Sequence, residues 1–193
     1  MSRKLAAAPV VLSLFLALTS SLRAAPEEAK KSAAEEQRAK IDAMAQETLD
    51  KVLGESPKAK ELFDRAYGYA VFDNTKFSIG IGGGGGGKGV AVARDGGRRT
   101  YMRMQSYGMG IGVGAQSYQV VFLFENEAIF TSFVEKGWSA ETSASAVAGS
   151  EGEAAAGSFV GGIATFQETD KGLMARAEIT GTKYWKSKRL NKK

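Results

Sequence analysis

Four glycines at every second position, Gly108, Gly110, Gly112 and Gly114, alternate with Met109, Ile111 and Val113. Side chains alternate between the two faces of a β-strand, so as a strand this segment has every glycine on one face. Ser78, Gly80 and Gly82 repeat the arrangement against Phe77, Ile79 and Ile81. A bare face lets something approach the backbone closely. Two occupants are open at this point: a helix or second sheet of the same protein, and an acyl chain lying in a groove.

The surrounding segments extend the strand pattern. Short apolar or alternating runs at 69–72, 76–82, 88–94, 100–107, 108–114 and 119–124 read as strands. Asp73-Asn74, the glycine run and Asp95-Gly96-Gly97 read as turns between them. One helix interrupts the series: Asn126 caps it, Ile129, Phe130, Phe133 and Val134 bury one side, and Gly137 ends it. Strands are expected again at 139–148, 162–169 and 173–182, with a flexible Ala, Gly and Glu loop at 149–157. Phe130 and Trp138 are expected to be buried where the helix joins the sheet.

Helices precede the strands. Ile41, Met44, Ala45, Thr48, Leu49, Val52 and Leu53 form a narrow apolar stripe ending at Gly54. The charged, Ala-rich stretch at 27–40 before it is expected to fray. Ser56 and Pro57 open a second helix with Leu62, Phe63 and Ala66 inward. The expected class is α+β: N-terminal helices, then a mostly antiparallel sheet curled into a sandwich or partial barrel, with one inserted helix.

The glycine run also imitates two nucleotide motifs. Residues 80–85 fit a dinucleotide fingerprint and 82–88 most of a P-loop, but the following segment reads as strand. Without a helix N-terminus there is no dipole to hold phosphates, and Gly89 stands where Ser or Thr would hold magnesium. Both readings fail.

The first residues resemble an export signal. Arg3 and Lys4 precede an apolar run at 5–18, and small residues end at Ala24 and Ala25. The run is shorter than the roughly 20 residues of a membrane-spanning helix. Cleavage is expected after Ala24 or Ala25; the rival is an uncleaved anchor. Loss of 1–24 removes Arg3, Lys4 and Arg23 and no acid, which lowers the net charge of +5 by three. Strong nucleic-acid binding is therefore not implied. The expected organisation is a signal peptide at 1–24, an amphipathic helix at 25–54, a domain at 55–186 and a basic tail at 187–193.

The chain contains no Cys and no His. A Ser-His-Asp or Cys-His nucleophile is excluded, and so is a zinc site built on Cys or His. No metal and no cofactor is expected. No particular acid pair is marked for carboxylate catalysis.

Charge is segregated. Residues 76–105 hold Lys76, Lys88, Arg94, Arg98, Arg99 and Arg103 against Asp95 alone. Residues 125–170 hold eight acids against Lys136. The C-terminal end carries Lys183, Lys186, Lys188, Arg189, Lys192 and Lys193 and no acid. Arg99, Tyr101, Arg103 and Tyr107 share one strand face, and Thr100, Met102 and Met104 the other. Aromatic rings among arginines suit a lipid headgroup interface; an ordinary solvated face is the alternative.

Three blocks, 66–92 (AYGYAVFDNTKFSIGIGGGGGGKGVAV), 108–124 (GMGIGVGAQSYQVVFLF) with the following Gly137-Trp138, and 171–181 (KGLMARAEITG), resemble in order and spacing the SYLF domain. The resemblance runs from about Leu53 to Tyr184. It implies a non-catalytic lipid-binding module with a preference for phosphoinositides and other anionic phospholipids. Some eukaryotic members also bind actin; bacterial members are typically exported, many as lipoproteins. Without a cysteine, attachment here is expected to be non-covalent. An exported protein would not meet actin, so actin is not an expected partner. The expected partners are anionic phospholipids at a membrane surface, with no nucleic acid. Headgroup contacts are expected from Lys88, Arg94, Arg98, Arg99, Arg103, Lys183, Lys186, Lys188 and Arg189. The alternative is a structural or protein-interaction module of the cell envelope, its long helix docking a partner.

Overall fold

The computed structural model describes residues 18–108, 112–139, 158–169, 172–174 and 182–192, and of 18–28 the backbone alone. Met109 to Ile111, nearly all of the expected strand at 139–148, the whole of the expected loop at 149–157, and the middle of the expected strand at 173–182 lie outside the described residues. Two compact units divide between Gln37 and Arg38. In the first, the described residues are helical; the side-chain packing below belongs to the second.

Helix α1 spans Leu18–Glu55. It passes without a break through the stretch expected to fray and through the expected cleavage point. Ile41, Ala45, Leu49 and Val52 are buried along one stripe, as the spacing predicts. Helix α2, Pro57–Arg65, starts as its sequence dictates: the Ser56 side chain accepts the Ala59 N–H at 3.1 Å, and Pro57 occupies the first helical position.

Among the described residues eight strands form a single sheet: β1 Gly68–Gly80, β2 Gly82–Ala93, β3 Arg99–Gly108, β4 Gly112–Phe124, β5 Trp138–Ser139, β6 Ile163–Thr169, β7 Gly172–Met174 and β8 Thr182–Lys186. Their order is β5-β8-β3-β2-β1-β4-β6-β7, and neighbours pair antiparallel. The fold is α+β. This is the expected class, and among the described residues the sheet is not closed into a barrel.

Two expected turns are strand. β1 runs straight through Asp73-Asn74, because β2 and β4 hold it on both sides. The Asp73 carboxylate accepts Gln119 Nε2 across β4 at 3.1 Å, and Asn74 is buried. The glycine run lies within β2, paired to β1 along its whole length and to β3 from Gly83 onward. Glycine weakens an isolated strand by about 0.5–1 kcal/mol per residue relative to Ala; a ladder on each side satisfies the backbone and offsets that cost. The real turn is at Gly80-Ile81, where Gly80 has φ 65°.

Strand alternation sorts the core. Ala70, Phe72, Met102, Met104, Val120, Phe122, Phe124 and Tyr184 face helix α3, Glu127–Lys136. Asn126 accepts the Ile129 N–H at 3.1 Å, and Gly137, φ 76°, ends the helix, as expected. Phe133 meets Phe124 at 4.8 Å and Phe122 at 5.4 Å, and Phe130 meets Phe124 at 5.5 Å. Phe130 is buried; Trp138 is half-buried against Phe122, Phe133 and Tyr184. Val71, Val90, Val121 and Leu123 are buried on the opposite face. There the Tyr101 hydroxyl donates to Asp42 of α1 at 2.9 Å, and Lys51 of α1 meets Glu168 at 2.6 Å.

The two faces of the glycine strand differ. A Cβ at Gly89 would strike the Phe72 ring, and one at Gly87 the Asn74 side chain, so neighbouring strands fill that face. Internal packing therefore occupies it, not a groove. On the other face Gly82 has nothing within 4 Å of a Cβ position.

Candidate functional site

The nine cations singled out from the sequence separate into four settings. Arg94 sits at the end of the β2 hairpin and turns back on α2. Its guanidinium donates to the Phe63, Asp64 and Ala66 carbonyls at 2.6, 3.1 and 3.3 Å, and lies 4.8 Å from the Phe63 ring centroid. These carbonyls end a helix, where only the Phe63 carbonyl takes a capping bond, from the Ala66 N–H at 3.1 Å, so a cation there supplies further donors and complements the helix dipole. Arg94 is a structural clasp as well as an exposed charge.

Arg98, Arg99 and Lys186 meet at a shallow cleft bounded by Phe130 and Val134 of α3. Arg99 lies 3.7 Å from Asp42, and Lys186 3.1 Å from Glu135. Two of these three cations thus already have acidic neighbours. The cleft does bring the strand cations and the C-terminal cations together, which their sequence separation conceals.

The third setting is the end of the chain. Lys188 and Arg189 are exposed, and the segment read as a basic tail docks on the sheet through its other residues. Residues 188–191 form a turn in which Leu190 is buried. The Asn191 side chain accepts the Tyr101 N–H at 3.0 Å and donates to the Tyr101 and Ser187 carbonyls at 2.7 Å each. The amide thereby extends the β3–β8 ladder beyond its last pair, Met102 with Lys186.

The fourth setting contains Lys88, Arg103 and Lys183. Lys88 is directly opposite Arg103 on β3, and Arg103 is opposite Trp185 on β8. Lys183 is opposite Gln105, two residues further along the same face. All three cations are exposed, and Trp185 is partly so. Like charges directly opposite on a sheet destabilise it by a few tenths to about 1 kcal/mol. Asp73, on the far side of Lys88, is the acid of this row and takes a hydrogen bond from Gln119. The row therefore has positive charge available to an outside anion, with an indole beside it.

The sequence placed Arg99, Tyr101, Arg103 and Tyr107 on one face, and the register agrees. It did not reveal that α1 covers the near half of that face. Tyr101 is buried beneath α1, and burial, then its bond to Asp42, pushes its hydroxyl pKa up. Only the half beyond Arg103 is open. Trp185 was the residue of this site that sequence reasoning missed; its place opposite Arg103 depends on a long-range pairing. No helix among the described residues is long and apolar enough to cross a membrane.

Comparison with known proteins agrees with the second and third sequence blocks. The family model described as Ysc84, Las17-binding protein actin regulator, matches residues 105–193. The chain is also 43% identical over 157 residues to Beta cell expansion factor A of Aeromonas veronii. That alignment covers 81% of this chain and 60% of the relative, so the chain spans about three-fifths of the relative's length.

Proposed function

The chain belongs to the SYLF family, the Ysc84 domain that its second half matches, and from that premise we propose that it is a non-catalytic module binding anionic phospholipid headgroups at a membrane surface. The observation that carries the reading is the Lys88–Arg103 pair with Lys183 and Trp185 on one open sheet face. Two like charges side by side lower the stability of the free protein, and phosphate or carboxylate headgroups relieve that repulsion. Each cation held near an anionic surface contributes about 1 kcal/mol, so three give on the order of a hundredfold in partitioning. The indole supplies the amphipathic ring favoured at a membrane–water interface.

Export belongs to the same reading, with the domain acting in the periplasm or outside the cell, peripheral on a membrane. The export-like N-terminus motivates it. The actin regulation in the family description is not proposed here, because an exported protein does not meet actin. Sedimentation with phosphatidylcholine vesicles, with and without phosphatidylserine, tests the binding. Pelleting only with the anionic vesicles, and less as salt rises, is expected. Absence from both pellets at low salt would replace the lipid reading with that of an envelope scaffold.

A further inference from the structure

Five large apolar side chains are exposed at one end of the sheet: Phe77 at 53%, Ile79 at 73%, Ile81 at 75%, Tyr107 at 62% and Val113 at 89%. Among the described residues the sixth exposed large apolar side chain is Trp185. Water-facing apolar residues of this size are ordinary when scattered and meaningful when gathered. The register gathers them. Ile79 is opposite Val113, with Gly82 on its other side. Phe77 and Tyr107 flank Gly84 from opposite sides, and the Phe77 ring lies over the space that a Gly84 side chain would fill. Ile81 is in the turn itself.

The chemistry is ordered along the strand axis. Ile81, Ile79 and Val113 are outermost, and Phe77 and Tyr107 come one row in. Thr75, Gln105, Ser117 and Lys183 form the next row, and Lys88, Arg103 and Trp185, with Asp73 and Gln119 beyond Lys88, the row after that. Rows on one face are two residues apart, about 7 Å. Aliphatic, aromatic, polar and cationic rows succeed one another as the acyl, interfacial and headgroup layers of a bilayer do. No Asp or Glu occurs at 74–88 or 104–124, where the charged residues are Lys76 and Lys88; the acid that meets Lys88 is Asp73, opposite it on β1.

We infer that the β1–β2 turn and the neighbouring strand ends insert into the acyl boundary of an anionic membrane, with the strands steep to the surface and the Lys88–Arg103 row at the phosphates. The inference rests on the anionic-surface reading and adds to it an orientation and an inserted element. The occupant is lipid because the cationic row follows the apolar ones at headgroup spacing, and no acid lies among the described residues of the rows between; Asp73, opposite Lys88, takes a hydrogen bond from Gln119. The glycine strand suits the role. It leaves the tip thin, and side chains from β1, β3 and β4 supply its apolar cover.

The absence of cysteine makes a direct test clean. Full-length Ile81→Cys and Asp64→Cys proteins, each carrying an environment-sensitive fluorophore, are mixed with phosphatidylcholine–phosphatidylserine vesicles containing bromine-labelled acyl chains. The label at position 81 is expected to shift to the blue and be quenched; the label on exposed α2 is not. In unlabelled protein, Ile79→Ser with Ile81→Ser is expected to weaken vesicle partitioning on the order of tenfold or more, chiefly in the component that survives high salt. Both side chains are largely exposed, so the circular dichroism spectrum and the melting curve stay those of the parent. If the parent pellets with anionic vesicles while the label at 81 stays in water and the double variant binds equally well, insertion is overturned and surface binding stands. If the parent binds no vesicles, both fall. Concentration-dependent shielding of the label without vesicles would instead make this end a self-docking surface and overturn the membrane assignment.

Discussion

Replacing Asn191 by Ala removes one side chain five residues beyond the last strand, which ends at Lys186, and tests whether the C-terminal segment is part of the fold. Three hydrogen bonds disappear, of 3.0, 2.7 and 2.7 Å. Each nets about 1 kcal/mol in a protein. The Tyr101 carbonyl keeps the Ser187 N–H at 2.9 Å, but the Tyr101 N–H loses the partner found here. The expected loss is about 2 kcal/mol. Truncation after Ser187 also exposes the site of Leu190, now 2% accessible, which adds about 1.5–3 kcal/mol. Urea unfolding followed by tryptophan fluorescence measures both, with Trp138 and Trp185 as reporters close to the affected edge. Asn191→Asp is the control: it keeps the acceptor for Tyr101 but sets a carboxylate against two carbonyl oxygens, so it should lose at least as much. A loss below about 0.5 kcal/mol for Asn191→Ala, with a truncated protein as stable as the parent, would refute the docking and return the segment to a free tail.

Two other substitutions separate structural from functional charge and probe the core. Arg94→Ala should cost about 1–2 kcal/mol in urea unfolding, because three α2 carbonyls and the Phe63 ring lose their cation; Arg103→Ala should stay within about 0.5 kcal/mol of the parent. Tyr184→Phe should raise stability by about 1 kcal/mol at neutral pH, because the Tyr184 hydroxyl is buried with no hydrogen-bond partner among the described residues. Burial also holds this phenol well above its usual value. The folded state therefore keeps a proton that the unfolded chain releases near pH 10, and stability falls as pH rises beyond that point. Tyr184→Phe should flatten that alkaline fall, and an unchanged slope in pH-dependent unfolding would contradict the assignment.

Features decided within a few residues could be read from the chain. Ser56-Pro57 and Asn126 through Gly137 are caps whose partners lie three or four positions away, and both helices begin and end where those residues require. The inward sets Phe130, Phe133 and Val134, and Met102 with Met104, follow from periodicity alone. Features decided by distant pairing could not. Asp73-Asn74 has turn chemistry, yet β2 and β4 hold it extended. Six glycines prescribe no conformation, and flanking ladders impose one. Arg94 reads as one more surface charge until α2 ends beside it. The alternation at 77–81 is visible in sequence, but its exposure depends on how much of the sheet the helices cover.

The central claim is that the open cationic face holds the domain on an anionic membrane. The most direct measurement is the partition coefficient of the parent and of Lys88→Glu with Arg103→Glu on phosphatidylserine-containing vesicles across a salt series. Both side chains are exposed on a sheet face, so the variant should remain folded. Two attractions become repulsions, each worth about 1 kcal/mol, and binding should weaken by a hundredfold or more at 0.1 M salt, with the parent declining towards the variant as salt rises. A folded variant that partitions as well as the parent, or parent binding that ignores salt, would contradict the account.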